Sequence, residues 1–168
     1  MSLSTADLMA LDKGEDLLDE ISGNTANRQH LLACINANYP LDQQDQNGRN
    51  AIIWAAIKGF EPELDAIIKR GSWVEHADNE KKTPLFHAAV NGHLGAVRRL
   101  VEEQVNLNTP DYTGKTPAAA ALANGFNEVA VYLIAQGATP PPVDLDTELK
   151  NSTTVFSRPL RMVKKPGA

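Results

Sequence analysis

Residues Asp78 to Asn108 read Asp-Asn-Glu-Lys-Lys-Thr-Pro-Leu-Phe-His-Ala-Ala-Val-Asn-Gly-His-Leu-Gly-Ala-Val-Arg-Arg-Leu-Val-Glu-Glu-Gln-Val-Asn-Leu-Asn. Thr83 is a good helix N-cap, because its hydroxyl accepts a bond from an otherwise unpaired backbone N–H. Pro84 then stands at the first helical position, where its missing N–H costs nothing. Gly92 is placed to end this short helix, being free to take positive φ. Beyond it, Val97, Leu100 and Val101 recur at helical spacing and mark the apolar face of a second helix. The stretch predicts a helix–turn–helix unit.

The same punctuation returns 33 residues away on both sides. Asp45, Asp78 and Asp111 are in register, as are Asn50, Thr83 and Thr116, and Gly59, Gly92 and Gly125. The apolar pairs Ile67-Ile68, Leu100-Val101 and Leu133-Ile134 keep the step, and so do Ala55-Ala56 and Ala88-Ala89, fading to Ala121-Leu122. A fixed period carried by caps, small residues and core residues together is the mark of a stacked repeat. The alanines belong where helices of neighbouring repeats approach closely, and the aliphatics fill the layer between repeats. One such unit cannot bury its apolar face alone, so neighbours are required.

From Asp45 to Ala138 the chain resembles the ankyrin repeat family, most plainly at Thr83-Pro84-Leu85, Ala88-Ala89 and Gly92-His93. The resemblance implies an all-α solenoid, a stack of helix–turn–helix units joined by hairpin loops. Three repeats are expected over 45–77, 78–110 and 111–138. It also exposes departures. Family members usually carry His two residues after the proline, bonded to the N-cap threonine; here Ile53, Phe86 and Ala119 stand there. The first repeat has Asn50-Ala51 in place of Thr-Pro. Gln104 stands where Gly71 and Gly137 close the second helix, so a non-glycine residue is expected in the left-handed region at a cost of about 1 kcal/mol.

Outside the repeats, residues 3–22 read as an acidic helix with Leu8, Leu11, Leu17, Leu18 and Ile21 on its apolar side. A second helix, Thr25 to Asn38, carries Leu31 and Cys34-Ile35 one period before Leu64 and Ile67-Ile68. Residues 1–42 are therefore expected to form a degenerate helical N-terminal cap. Thr139-Pro-Pro-Pro-Val143 cannot continue a helix and reads as a stiff turn-off. Residues 139–168 then form a short extension. Asp144 to Asn151 is expected as a short helix across the last repeat, with Leu145 and Leu149 inward. The stretch from Ser152 to Ala168 carries Arg158, Arg161, Lys164 and Lys165 with no acid. It reads as a disordered tail or as an extended peptide anchored by Val155-Phe156 and Leu160.

Composition narrows the function. With 42% hydrophobic and 22% charged residues in 168, the chain is an ordinary globular one. A formal net charge of −5 argues against non-specific nucleic-acid binding. One cysteine, Cys34, excludes an internal disulfide framework and suits a reducing compartment. No run of apolar residues is long enough for a membrane span, and the N-terminus lacks the pattern of a signal peptide. A cytoplasmic protein, monomeric in isolation, is the expectation. His76, His87 and His93 have no cysteines or acids around them at metal-ligand spacing. No phosphate loop, nucleophile elbow or Cys/His pair is present, so neither catalysis nor a cofactor is expected. His93 reads as structural and His87 as a surface histidine.

What remains is a surface. In a stacked array the turn tips and the exposed side of the first helices line up into a concave binding face. The resemblance implies partner contacts at Gln46, Asn47, Arg49, Asn79, Glu80, Lys82, Tyr112, Thr113 and Lys115 on the tips. On the first helices it implies Trp54, Ile57, Lys58, His87, Val90, Asn91, Ala120, Ala123 and Asn124. Trp54, His87 and Ala120 share one register and form a row. Trp54 reads either as a binding hot spot or as a residue packed on the cap. Trp73 is either a lid on the layer below or an exposed tip. Arg49, Lys82 and Lys115 make a basic line suited to an acidic protein or peptide. Two other readings stay open: a regulatory subunit acting through the basic tail, and an enzyme with a site at the cap.

Overall fold

The computed structural model describes residues 27–36 and 40–141. The expected acidic helix over 3–22, the short helix from Asp144 and the basic tail lie outside the described residues. Among the described residues there are helices and no strands. The helices are α1 (Asn27–Asn36), α2 (Ala51–Lys58), α3 (Glu61–Lys69), α4 (Pro84–Val90), α5 (Leu94–Glu102), α6 (Pro117–Ala123) and α7 (Asn127–Ala135). First helices begin at 51, 84 and 117 and second helices at 61, 94 and 127, so both keep the 33-residue step. The first helices α2, α4 and α6 pack in a row, as do the second helices α3, α5 and α7, with α1 against α3.

Each first helix starts at the residue the sequence marks. Asn50, Thr83 and Thr116 are extended, and their side chains accept from the N–H of Ile53, Phe86 and Ala119. The second helices need no side-chain cap. Their leading residues Phe60, His93 and Phe126 donate backbone N–H back to Ala55, Ala88 and Ala121 of the first helix, at 3.0, 3.0 and 2.9 Å. This bond closes the turn and leaves one fewer orphan donor.

The layers meet over small residues. Ala55, Ala56, Ala88 and Ala89 are fully buried, as the repeat pattern requires. Gly59 takes φ 69° and Gly92 φ 76°, and a Cβ at either would fall within 3 Å of the next repeat's ring, His93 or Phe126. Positive φ and close approach thus both demand glycine there. Gln104 adopts φ 58°, the left-handed conformation expected from its register with Gly71 and Gly137. Lys81 does the same at φ 60°, where the neighbouring turns have Gly48 and Gly114.

Leu31 and Ile35 of α1 join the core beside Leu64 and Ile67. One charge is buried with them. Glu63 is fully buried and pairs with Arg28 of α1 at 2.5 Å. Arg99 Nε donates to Asp65 Oδ1 at 2.8 Å, tying α5 to α3, and the Arg98 guanidinium lies over the Tyr132 ring at 5.5 Å, tying α5 to α7.

Candidate functional site

Each turn is built on its aspartate. Asp45 Oδ1 accepts the backbone N–H of Asn47 at 2.8 Å and of Arg49 at 2.9 Å. Asp78 Oδ1 accepts Glu80 and Lys82, both at 2.9 Å, and Asp111 Oδ1 accepts Thr113 and Lys115 at 2.9 and 3.0 Å. The second oxygen reaches the first helix of the same repeat. Trp54 Nε1 donates to Asp45 Oδ2 at 3.1 Å, and His87 Nε2 bonds Asp78 Oδ2 at 2.8 Å. Ala120 offers no donor to Asp111 Oδ2 in the third repeat, where Thr113 Oγ1 instead adds a further bond to Oδ1, at 2.6 Å.

The row of Trp54, His87 and Ala120 is therefore inside the protein. Trp54 is 7% exposed and His87 5%, and Ala120 is buried as well. This corrects the reading of His87 as a surface histidine: a polar ring on a first helix is drawn inward because an aspartate nine residues earlier supplies its partner. It also corrects the reading of Trp54 as an exposed hot spot. The Trp54 ring has Arg49 at 5.4 Å and Lys58 at 5.8 Å over it, both half-buried. Arg49 Nε further lies 3.5 Å from Asp78 Oδ2, an ion-pair distance without hydrogen-bond geometry.

Electrostatics follow burial. Desolvation pushes the His87 value below that of an ordinary imidazole, although Asp78 works the other way. The ring is neutral near pH 7, and since a carboxylate only accepts, Nε2 carries the proton. Burial alone would raise the Asp78 value; the N–H groups of Lys82 and Glu80 and the His87 ring outweigh it and hold it below the ordinary one.

The tips are outside and joined. Asn79 N donates to Asn47 O at 2.9 Å and Tyr112 N to Glu80 O at 3.0 Å, so successive tips form one hydrogen-bonded ledge. Asn79 Nδ2 adds a bond to Gln46 O at 3.0 Å. Gln46, Asn47, Asn79, Glu80, Tyr112, Thr113 and Lys115 are exposed on it, Tyr112 at 66%. Lys82 is half-buried, over the Phe86 ring and paired with Glu80 at 2.5 Å. Lys81 is exposed beside it, a cation missing from the expected line. Asn91 and Asn124 are exposed on the first-helix side, where their amides donate to His87 O at 2.8 Å and Val90 O at 3.0 Å. His93 is structural as expected: Nε2 lies 2.9 Å from Ile57 O. Trp73 is an exposed tip, its ring tilted against His76.

Among the described residues, no cluster of His, Cys, Asp and Glu is arranged to hold a metal ion, and no helix is long and apolar enough to cross a membrane. Comparison with known proteins gives a consistent picture. A family model for ankyrin repeats in three copies matches residues 20–111 and 65–144. Inversin of Gallus gallus is 28% identical over 147 residues, 86% of this chain and 13% of that protein. Palmitoyltransferase AKR1 of Saccharomyces cerevisiae is 28% identical over 126 residues, 72% of this chain and 16% of that protein. Ankyrin repeat and SAM domain-containing protein 6 of Mus musculus is 31% identical over 115 residues, 67% of this chain and 12% of that protein. The chain thus spans 12% to 16% of the length of these relatives.

Proposed function

Because this chain belongs to the ankyrin repeat family, we propose that it is a non-catalytic interaction module that holds a protein or peptide across its turn tips and first helices. Ankyrin repeats generally mediate protein–protein interaction. The single observation that carries the reading here is the ledge itself. Backbone bonds from Asn79 to Asn47 and from Tyr112 to Glu80 fix the tips in one line, with their side chains turned to solvent. A preorganised surface gives up little entropy on binding.

Burial redistributes the work among the candidate residues. Trp54 and His87 hold the turns in place from within, and Arg49 and Lys58 lie against the Trp54 ring. Contact falls to Gln46, Asn47, Asn79, Glu80, Thr113, Asn91 and Asn124, with Tyr112 as the anchor, a large amphipathic side chain of the kind enriched at hot spots. Lys81 and Lys115 supply exposed positive charge on a chain of net charge −5, which favours an acidic partner segment.

A peptide library selected on the wild-type chain tests this. The selected peptides should be enriched in acidic residues and should lose binding to a Tyr112→Ala, Lys115→Glu variant. A Glu102→Ala variant, altered on the second-helix side, should bind them as wild type does. Peptides that ignore the tip variant and respond to the Glu102 variant would overturn the assignment.

A further inference from the structure

Two cations share one indole in the first repeat. The Arg49 guanidinium lies 5.4 Å from the centroid of the Trp54 ring and the Lys58 ammonium 5.8 Å. The carboxylates of the two adjoining turns are engaged elsewhere. Asp45 takes the backbone N–H groups of Asn47 and Arg49 and the indole N–H. Asp78 takes those of Glu80 and Lys82 and the His87 ring. Arg49 Nε is buried 3.5 Å from Asp78 Oδ2 and makes no hydrogen bond. Among the described residues nothing bonds the Arg49 Nη groups or the Lys58 ammonium either. Yet 24% of the Arg49 side chain is open to solvent. A guanidinium seated on an aromatic ring with its fork unoccupied is preorganised to take an oxyanion. The arrangement occurs once. In the second repeat Lys82 is paired with Glu80, and in the third Ala120 stands where the ring would be.

We propose that Arg49, seated on Trp54 and assisted by Lys58, is a subsite for one carboxylate of an acidic side chain in the bound protein or peptide. This rests on the proposed function and names the chemistry of one position along it. The group is a carboxylate and not a phosphate. Asp78 is a buried anion 3.5 Å from the same guanidinium, and it repels a dianion more strongly than a monoanion. Arg49 also differs in kind from the exposed lysines of the tips. Lys81 and Lys115 are mobile, screened charges that attract, whereas a planar fork held in place directs a carboxylate. The subsite therefore sets a register. Repeats stack at the roughly 10 Å of packed helices, so Arg49 and Tyr112, two repeats apart, stand about 20 Å from each other. An extended segment rises about 3.3 Å per residue, which places its acid about six residues from the part held at Tyr112.

A double-mutant cycle tests the inference, using peptides selected from a random library on the wild-type chain. Each acidic residue of a selected peptide is replaced in turn by its amide. Affinities are then measured for wild type, Arg49→Gln and Arg49→Lys. One acid, about six residues from the part that responds to Tyr112→Ala, should weaken binding to wild type about tenfold when replaced. The same replacement should change binding to Arg49→Gln less than about twofold, because the charge it pairs with is already gone. Arg49→Lys should fall between, since it keeps the charge and loses the fork, and it carries the cycle alone if Arg49→Gln does not fold. Phosphoserine at the same position should bind less well than glutamate. Equal losses with and without Arg49 at every acid would overturn the inference, while peptides that still depend on the tips would leave the proposed function intact. Tighter binding of phosphoserine would overturn the carboxylate assignment. Peptides indifferent to Tyr112→Ala, Lys115→Glu, or a selection that yields none, would overturn the proposed function and this inference with it.

Discussion

His87 Nε2 lies 2.8 Å from Asp78 Oδ2, both side chains are buried, and the pair locks a turn to the helix that follows it. Trp54 repeats the arrangement with Asp45 one period earlier. An aspartate with two backbone N–H groups on one oxygen and a first-helix ring on the other is a compact way to fix a tip. The tips are the part offered to a partner, so these buried rings act on binding through position.

Removing one ring donor strands a carboxylate oxygen. His87→Leu should cost about 2–4 kcal/mol, because Asp78 is buried and charged. Trp54→Phe should cost less, about 0.5–1.5 kcal/mol, since Asp45 is half-exposed and water can replace the indole N–H. Urea unfolding checks the order of the two; equal losses would mean that burial of the aspartate does not set the cost of losing its ring donor.

The His87 site also sets a pH dependence. Its folded value lies below the ordinary imidazole value of about 6.5, so in that range the unfolded chain binds more protons. Stability is then fully expressed above about pH 6.5 and falls as the pH drops from there toward the folded value. Asp78, also held low, adds a loss of the same sign as the pH falls below the ordinary carboxylate range and through its folded value. Urea midpoints measured between about pH 8 and about pH 5 should decline for wild type and decline less for His87→Gln, which does not titrate. Parallel curves would remove His87 as the cause.

Two side chains occupy the left-handed region for want of a glycine. Lys81→Gly and Gln104→Gly should each stabilise by a fraction of a kcal/mol up to about 1 kcal/mol, with the greater flexibility of the unfolded chain setting the ceiling. Unfolding midpoints of the two variants check this, and a drop at either would contradict the positive φ there.

Interlayer glycines are held by space as well as by φ. Gly92→Ala and Gly71→Ala both strain a positive φ, but only the first drives a Cβ into a neighbouring ring, Phe126. Gly92→Ala should therefore be the more destabilising by about 1–3 kcal/mol, as for overpacking in a core. Thermal melts of the pair should separate by that margin, and coincident melts would show that the layer yields.

The repeat was legible in the sequence because period, caps and small residues are local or evenly spaced signals. Asn50, Thr83, Thr116, the four interlayer alanines and the conformation of Gln104 all follow from register. Lys81 was readable by the same rule, from Gly48 and Gly114, and its exposed tip charge went uncounted. The inward turn of Trp54 and His87 was harder. Each is a polar-tipped ring on a helix face that solvent would also accept, and the deciding partner is an aspartate in the preceding turn. The spacing of nine residues, the same from Asp45 to Trp54 and from Asp78 to His87, was the available signal.

The most direct test of the tip-binding claim is an amide chemical-shift map of the full chain titrated with an acidic peptide from the library selection. The expected changes lie at residues 46–49, 79–82 and 112–115, with Asn91 and Asn124 beside them, and they should vanish for Tyr112→Ala, Lys115→Glu. Changes confined to α3, α5 and α7, or to residues 142–168, would contradict it.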